Sequence, residues 1–216
     1  DREEPLYIYG PERLHDYISQ TRKLLDMYIN YEIIVKTIKP GLIVDNDEYS
    51  VEAFRLDHTK PCYGYTMREK DRPGLFHPEK AMELQVPRGP MWNRLQHGEP
   101  VVLDDGRTIE PRDIMGKARP GRTFSYVTDT LYKSSIARHV HDADLLLCEG
   151  MFDESLKESA MEKKHMTASQ AAMIARDAKV ASMGLIHYSP RYTDRELRIL
   201  LDEAREIFPP TFLARD

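Results

Sequence analysis

The sequence predicts an α/β protein, because strand-like and helix-like segments alternate through its second half. Thr167–Gln170 forms a capping box that begins a helix running to Ala178, and a strand-like run follows at 182–186. A second capping box, Thr193–Glu196, precedes a helix with one apolar face and a short strand at 211–214. The 216 residues carry a net charge of −5 and are 41% hydrophobic, which is an ordinary globular composition.

The first half predicts three strands and one helix. Leu6–Tyr9 and Glu32–Ile38 are strand-like, and apolar residues recur at helical spacing between Leu14 and Tyr28. Tyr49–Leu56 alternates as a half-buried strand does and runs directly into Asp57-His58. Residues 66–120 are rich in Pro and Gly, which predicts a long loop holding a short helix near Pro78 and a hairpin at Asp105-Gly106.

Composition excludes several protein classes. No run approaches 18 apolar residues, so we expect no membrane span. Two cysteines, Cys62 and Cys148, are too few for a disulfide framework or a Cys-rich zinc module, and they fit a reducing cytoplasm. The acidic total argues against indiscriminate nucleic-acid binding, although residues 60–122 carry 12 Lys and Arg against 9 Asp and Glu.

Three predicted strands end in a residue that can bind metal: His58, Asp129 and His187. Strand ends are where sites assemble in layered folds, and imidazole and carboxylate are zinc ligands. Each of these residues has an alternative interpretation, as a surface or core histidine or as a turn aspartate.

Three further residues are candidates for chemistry. Glu149 ends an apolar strand, where a carboxylate needs a partner; the alternative is a buried salt bridge or cap. His165 precedes a helix start, which favours a phosphate contact, and Arg191 can hold a phosphate through two parallel hydrogen bonds. A surface histidine and a solvated loop arginine are the alternatives for these two.

Five motifs occurring in one order resemble the ribonuclease Z family, the tRNA 3′-processing endonucleases of the metallo-β-lactamase superfamily. They are Leu56-Asp57-His58, Thr128-Asp129-Thr130, Cys148-Glu149-Gly150-Met151-Phe152, Lys164-His165-Met166-Thr167-Ala168 and Ile186-His187-Tyr188-Ser189-Pro190-Arg191-Tyr192. Glu69–Gly74, Gly89–Trp92 and Glu203–Pro209 add to the resemblance, which covers the whole chain.

The resemblance implies an αββα sandwich with two zinc ions. His58 would bind the first zinc, Asp129 would bridge both and His187 would bind the second. His165 would contact the scissile phosphate and assist proton transfer, with Glu149 in an acidic relay beside it and Arg191 near the phosphate.

The resemblance also implies an inserted arm at residues 67–107 that grips precursor tRNA. Its expected phosphate contacts are Arg68, Lys70, Arg72, Lys80, Arg88 and Arg94. We expect Trp92 to pack within the arm. The family is commonly dimeric, so a cytoplasmic homodimer is expected.

The sequence departs from the family pattern in three places. The family's His-x-His-x-Asp-His motif is absent, so residues 1–216 are expected to be the C-terminal two-thirds of a single domain, to bind zinc poorly and to be inactive alone. Cys148 stands where the family usually has His, and Met166 stands where it usually has Ser.

Two alternatives to a tRNA endonuclease stay open. One is another phosphodiesterase of the same fold that acts on small substrates, for which the arm has no evident purpose. The other is a non-catalytic RNA-binding protein.

Overall fold

The computed structural model describes residues 2–214, which form two compact units. The first, called here the sheet unit, comprises residues 2–68 and 123–214. The second, the small unit, is Glu69–Arg122. Within residues 2–214, no helix combines the length and apolar character needed to cross a membrane.

Eleven strands and seven α-helices are described in residues 2–214. The strands are β1 (Leu6–Gly10), β2 (Ile33–Thr37), β3 (Gly41–Asp45), β4 (Tyr49–Leu56), β5 (Cys62–Glu69), β6 (Val101–Val102), β7 (Thr108–Ile109), β8 (Thr123–Val127), β9 (Leu145–Glu149), β10 (Met183–Ile186) and β11 (Thr211–Leu213). The helices are α1 (Leu14–Leu24), α2 (Pro78–Glu83), α3 (Pro90–Gln96), α4 (Pro111–Ile114), α5 (Lys157–Glu162), α6 (Ala168–Asp177) and α7 (Leu197–Ile207).

A seven-stranded mixed sheet organises the sheet unit, in the order β11-β10-β9-β8-β5-β4-β3. Strands β8 to β11 are parallel neighbours, and β5 pairs antiparallel with β8. The sequence prediction of an α/β class is therefore confirmed. β1 and β2 form a separate parallel pair connected through α1.

The two faces of this sheet differ in burial. Leu146 and Cys148 of β9 are buried in one cluster with Ile174 of α6 and Leu200 of α7. Leu147 alternates with them, so it points to the opposite face, where it is only half-buried. The helices therefore supply the core on one face, and the other face is partly open.

Several predicted elements have different boundaries or were missed. α1 ends at Leu24 rather than Tyr28, because Asp26 adopts a left-handed φ of 47° that terminates the helix. β3 was not predicted from the sequence, because its first residue, Gly41, is a residue type typical of turns. β5, which is eight residues long, was not predicted from the sequence. Gly64 lies within this strand, and the ring of Phe54 occupies the space that a side chain at Gly64 would take.

The capping boxes were half confirmed. Thr167 and Gln170 form the reciprocal box at the start of α6. Thr193 instead donates both its backbone N–H and its hydroxyl to the carboxylate of Glu196, and α7 begins one residue later, at Leu197.

The small unit is not the long loop that its composition predicts. It contains α2, α3, α4 and the β6–β7 hairpin, and the predicted short helix and hairpin are confirmed. It has a core of its own, in which Leu95 and Ile114 are fully buried. Pro begins each of its three helices, which explains why a Pro-rich stretch still forms regular structure.

Candidate metal centre

His58 follows β4 and its imidazole has a fixed orientation. Its Nδ1 lies 3.1 Å from the backbone carbonyl oxygen of Lys164, 106 residues away. A carbonyl only accepts hydrogen bonds, so Nδ1 carries the proton. Nε2 then faces Asp129, which is the arrangement that prepares a histidine to bind a metal.

Asp129 follows β8 and lies between two histidines. Its Oδ2 is 3.9 Å from Nε2 of His58 and 3.5 Å from Nε2 of His187. Partial burial raises the pKa of the Asp129 carboxyl, but the hydrogen bond from Thr128 and the nearby His187 outweigh burial and leave this pKa lowered. The carboxylate is therefore the charged form at neutral pH.

Glu149 and His165 form a buried pair beside these residues. Nδ1 of His165 lies 3.1 Å from Oε2 of Glu149, whose carboxylate also accepts from the backbone N–H groups of Thr130 and Met166. The hydrogen bond to Glu149 raises the pKa of His165, although burial opposes it. These contacts leave Nε2 of His165 available to a ligand or substrate.

The residues of the centre fit a metal ion. His58, Asp129 and His165 each offer a ligand atom, and these atoms lie within 4.8 Å of one another. This group contains His165 rather than the predicted ligand His187, whose Nε2 lies 3.5 Å from Oδ2 of Asp129. Two donors about 2.0–2.2 Å from one zinc lie no more than about 4.4 Å apart. The distances from His58 Nε2 and from His187 Nε2 to Asp129 both meet this limit. Both distances are to the same carboxylate oxygen, Oδ2.

Two strained backbone positions flank the centre. His187 has a φ of 59° and Lys164 a φ of 57°, both in the left-handed region that non-glycine residues seldom adopt. Lys164 precedes His165, and its carbonyl orients His58. Such strain persists where surrounding contacts fix the backbone, and it is common at functional sites.

An ion-pair bridge explains how Lys164 is fixed. Its Nζ lies 3.0 Å from Oδ1 of Asp57, and Lys133 Nζ lies 2.7 Å from Oδ2 of the same carboxylate. The hydrogen bonds from Lys133 and Lys164 lower the pKa of Asp57 to about 2. Asp57 therefore links the end of β4 to the residue before His165.

Arg191 lies over an aromatic ring of the same unit. Its guanidinium carbon is 5.2 Å from the ring centroid of Phe152, and that ring packs edge-on against His165. The next residue, Tyr192, donates its hydroxyl to Asp153, 2.6 Å away, which fastens the loop. Burial and this hydrogen bond raise the pKa of Tyr192 to about 12.

The predicted arm cations are divided between the two units. Arg68 belongs to β5 of the sheet unit and donates to the carbonyl of His139. The other five, Lys70, Arg72, Lys80, Arg88 and Arg94, belong to the small unit. Trp92 packs in the core of that unit as expected, with Nε1 donating to the carbonyl of Val86.

Sequence reasoning missed some residues of the centre. Lys164 acts through a backbone carbonyl, which leaves no signal in the sequence, whereas Asp57 could have been noticed beside His58. The sequence also contains a His-x-His pair, His139 and His141, of the kind metal sites use. His139 stacks on Phe54 and His141 pairs with Asp142, so neither belongs to the centre.

Comparisons with known proteins identify the family and the fold. A profile described as "Beta-lactamase superfamily domain" matches residues 92–188. The chain is 58% identical to a "Ribonuclease Z" of Treponema denticola, over 100% of this chain and 70% of the relative. It is 41% identical to a "Ribonuclease Z" of Nostoc sp., over 97% of this chain and 66% of the relative.

Solved structures share the fold at low identity. The short form of human tRNase Z aligns with a TM-score of 0.62 at 20% identity, over 100% of this chain and 67% of that one. The metallo-beta-lactamase fold protein YhfI from Bacillus subtilis aligns with a TM-score of 0.56 at 18% identity, over 96% and 61%.

Proposed function

This chain belongs to the ribonuclease Z family, with the metallo-β-lactamase fold, and from that membership we propose that it acts as a zinc-dependent endoribonuclease. Its substrate is precursor tRNA, from which it removes the 3′ trailer and leaves a 3′-hydroxyl. One observation carries the proposal: His58, Asp129 and His165 converge from three distant segments of a chain that is 58% identical to a ribonuclease Z.

His58, Asp129 and His187 are the proposed metal ligands. Oδ2 of Asp129 lies 3.9 Å from Nε2 of His58 and 3.5 Å from Nε2 of His187, so this carboxylate would help to hold both ions. Two zinc ions, when bound, supply an activated water and stabilise the attacking and leaving oxygens of a phosphodiester. His-and-carboxylate ligand sets suit zinc.

His165 is the proposed proton donor. Its Nδ1 is engaged by Glu149, which favours the protonated imidazole and leaves the Nε2 proton directed away from that carboxylate. During cleavage the oxygen of a water molecule bonds to phosphorus, the bond between phosphorus and the tRNA O3′ breaks, and Nε2 of His165 gives its proton to O3′. Before this transfer, Glu149 stabilises the protonated imidazole of His165 and holds its ring in place.

Substrate binding is divided between the two units in this proposal. Arg191 binds a phosphate next to the centre, supported by its position over Phe152. The small unit, which includes residues 69–107 of the predicted arm, grips the tRNA through its surface cations, as does Arg68 of the sheet unit. An element of this kind favours tRNA over small phosphodiesters.

We place the protein in the cytoplasm, as a homodimer. Both cysteines, Cys62 and Cys148, are free thiols, which suits a reducing compartment. Tyr17 and Leu24 of α1 are exposed apolar side chains, which supports self-association. Sedimentation equilibrium would measure the oligomeric state.

Bound zinc per chain is the deciding measurement. It would be made on the 216-residue chain and on a fusion to the 30% of the Treponema denticola relative that this chain does not cover. We expect about two zinc ions in the fusion, as in a two-metal site, and little in the chain alone, which carries no His-x-His-x-Asp-His motif.

The fusion would also be tested for cleavage of precursor tRNA. If it binds no zinc, the ligand assignment is wrong and an RNA-binding protein becomes the better explanation. Zinc binding with hydrolysis of a small phosphodiester, but without cleavage of precursor tRNA, would instead indicate another phosphodiesterase.

A further inference from the structure

A concave surface beside His58 has no role in the mechanism above. It is a cavity of about 480 Å³ in the sheet unit. Its lining includes Arg55 at the end of β4, Asp57 and His58, Lys60, and Lys133 with Ser135 from the segment after Asp129. Cavities between about 300 and 1,000 Å³ are large enough for a small ligand such as a nucleotide.

The wall of this cavity is strongly basic. The side chains of Arg55 and Lys60 form no hydrogen bond or ion pair with any of residues 2–214. Lys133 is paired with Asp57, but the same carboxylate also binds Lys164, so its charge is shared between two lysines. The cavity wall therefore carries the cations of Arg55, Lys60 and Lys133, while the Asp57 carboxylate in the same wall is already neutralised by its lysine partners.

Unpaired cations on a concave wall attract anions more strongly than the same cations on a flat surface, because the low-dielectric walls focus the field. The ion pair to Asp57 also restrains Lys133, so part of the ordering cost of binding is already met. A solvated surface patch would provide neither feature.

The position of the cavity indicates the ligand. β4 and β10 lie on opposite sides of β5, β8 and β9 in the sheet. The cavity opens at the end of β4, whereas Arg191 belongs to the loop after β10. An RNA strand that is bound near Arg191 and crosses the metal centre would continue past His58 toward Arg55 and Lys60.

We propose that this cavity is a second phosphate site, which binds a backbone phosphodiester of the RNA on the His58 side of the scissile bond. Arg55 and Lys60 contact the anion directly, and Lys133 contacts it while remaining paired with Asp57. This inference rests on the proposed function, because it names a further contact to the same substrate.

The test measures RNA binding without cleavage. A fluorescent single-stranded oligoribonucleotide is titrated with the metal-free chain at several salt concentrations. The variant is Arg55→Gln with Lys60→Gln. The matched control is Lys23→Gln with Lys179→Gln, which removes the same charge from two exposed lysines of the same unit.

Each neutralised phosphate contributes about 0.7 to the magnitude of the slope of log K against log salt for a single strand, so the double variant, which loses one phosphate contact, should lose about 0.7. The control should lose much less. Inorganic phosphate at matched ionic strength should compete with RNA for this site in the unchanged chain, and the competition should weaken in the double variant.

Three results would overturn the proposal. They are equal slopes for the variant and the unchanged chain, equal losses in the variant and the control, and equal competition by inorganic phosphate in the variant and the unchanged chain. If the slope falls as expected but the fusion cleaves no precursor tRNA, the phosphate site stands and the proposed function fails. If the unchanged chain binds no RNA, the phosphate site fails, and the proposed function is still decided by whether the fusion cleaves precursor tRNA.

Discussion

In the sheet unit, His58 is oriented by a residue 106 positions away; in the small unit, Arg94 pairs with Glu99, only five residues along the chain. Arg107 likewise pairs with Asp105. The sheet brings distant residues into one centre with fixed geometry. The small unit instead presents cations on a surface of its own, supported by local pairs and a separate core.

This difference agrees with a division of labour. Chemistry at a phosphodiester requires donors placed within a few tenths of an ångström, which strand ends of a shared sheet provide. Recognition of RNA shape requires charge spread over a wide surface, where each contact contributes modestly. The predictions below test this division, from the largest expected effect to the smallest.

Removing the shared carboxylate should have the largest effect. Asp129→Ala in the fusion should abolish zinc binding and cleavage of precursor tRNA, because both histidine Nε2 atoms lose their common partner. Zinc content and cleavage rate would be measured. The control is Asp177→Asn, an exposed carboxylate at the end of α6; a near-normal zinc content in Asp129→Ala would contradict the ligand assignment.

Removing the small unit should separate recognition from chemistry. Arg68 and Thr123 are directly paired across β5 and β8, so Asn-Gly can join them as a hairpin turn when residues 69–122 are deleted from the fusion. We expect cleavage of precursor tRNA to fall by about a hundredfold, as for the loss of several phosphate contacts. Hydrolysis of a small phosphodiester should persist.

A loss of both activities in that deletion would mean that the small unit is needed for folding rather than for recognition. Circular dichroism would distinguish the two cases.

Lys164 offers a test with a close control. Lys164→Gly keeps the left-handed backbone, which glycine adopts freely, but removes the ammonium group that binds Asp57. Loss of such a supporting contact typically weakens metal binding by about tenfold to a hundredfold. Lys179→Gly has the same backbone geometry, with a φ of 55°, but is exposed and should leave zinc affinity unchanged.

Chelator competition on the fusion would measure both zinc affinities. Equal zinc affinities for the two glycine variants would show that the Asp57 bridge does not support the centre. Zinc affinity regained in Lys164→Arg would indicate that the cation itself is what matters.

Sequence reasoning reached the strand-end residues but not their supports. His58, Asp129 and His187 were predictable because apolar strands precede them and motif order supports them. The contacts that fix them, from the Lys164 carbonyl and from Lys133 to Asp57, depend on loops that meet only in three dimensions. No periodic pattern encodes such a meeting.

The small unit shows the opposite limitation. Its Pro and Gly content predicted a loop, because these residues interrupt regular structure in most contexts. In fact each Pro that begins a helix is compatible with that position, and buried residues such as Leu95 and Ile114 hold the short helices together. Tertiary packing therefore decided the structure where local propensity was weak.

The smallest effect is expected at Tyr192, whose hydroxyl fastens the Arg191 loop to Asp153. Its pKa of about 12 lies above the value near 10 of an unfolded chain, so the bonded hydroxyl stabilises the fold fully below pH 10. Between pH 10 and 12 the unfolded state releases this proton and the folded state keeps it, so stability falls as pH rises. In Tyr192→Phe that part of the fall should disappear, at a cost of about 1 kcal/mol at neutral pH.

Urea unfolding of the chain at several pH values would measure it, with Tyr17→Phe, an exposed tyrosine of α1, as the control. Identical pH profiles in the two variants would mean that the loop holding Arg191 does not depend on this hydrogen bond. That loop would then belong with the adaptable surface rather than with the rigid metal centre.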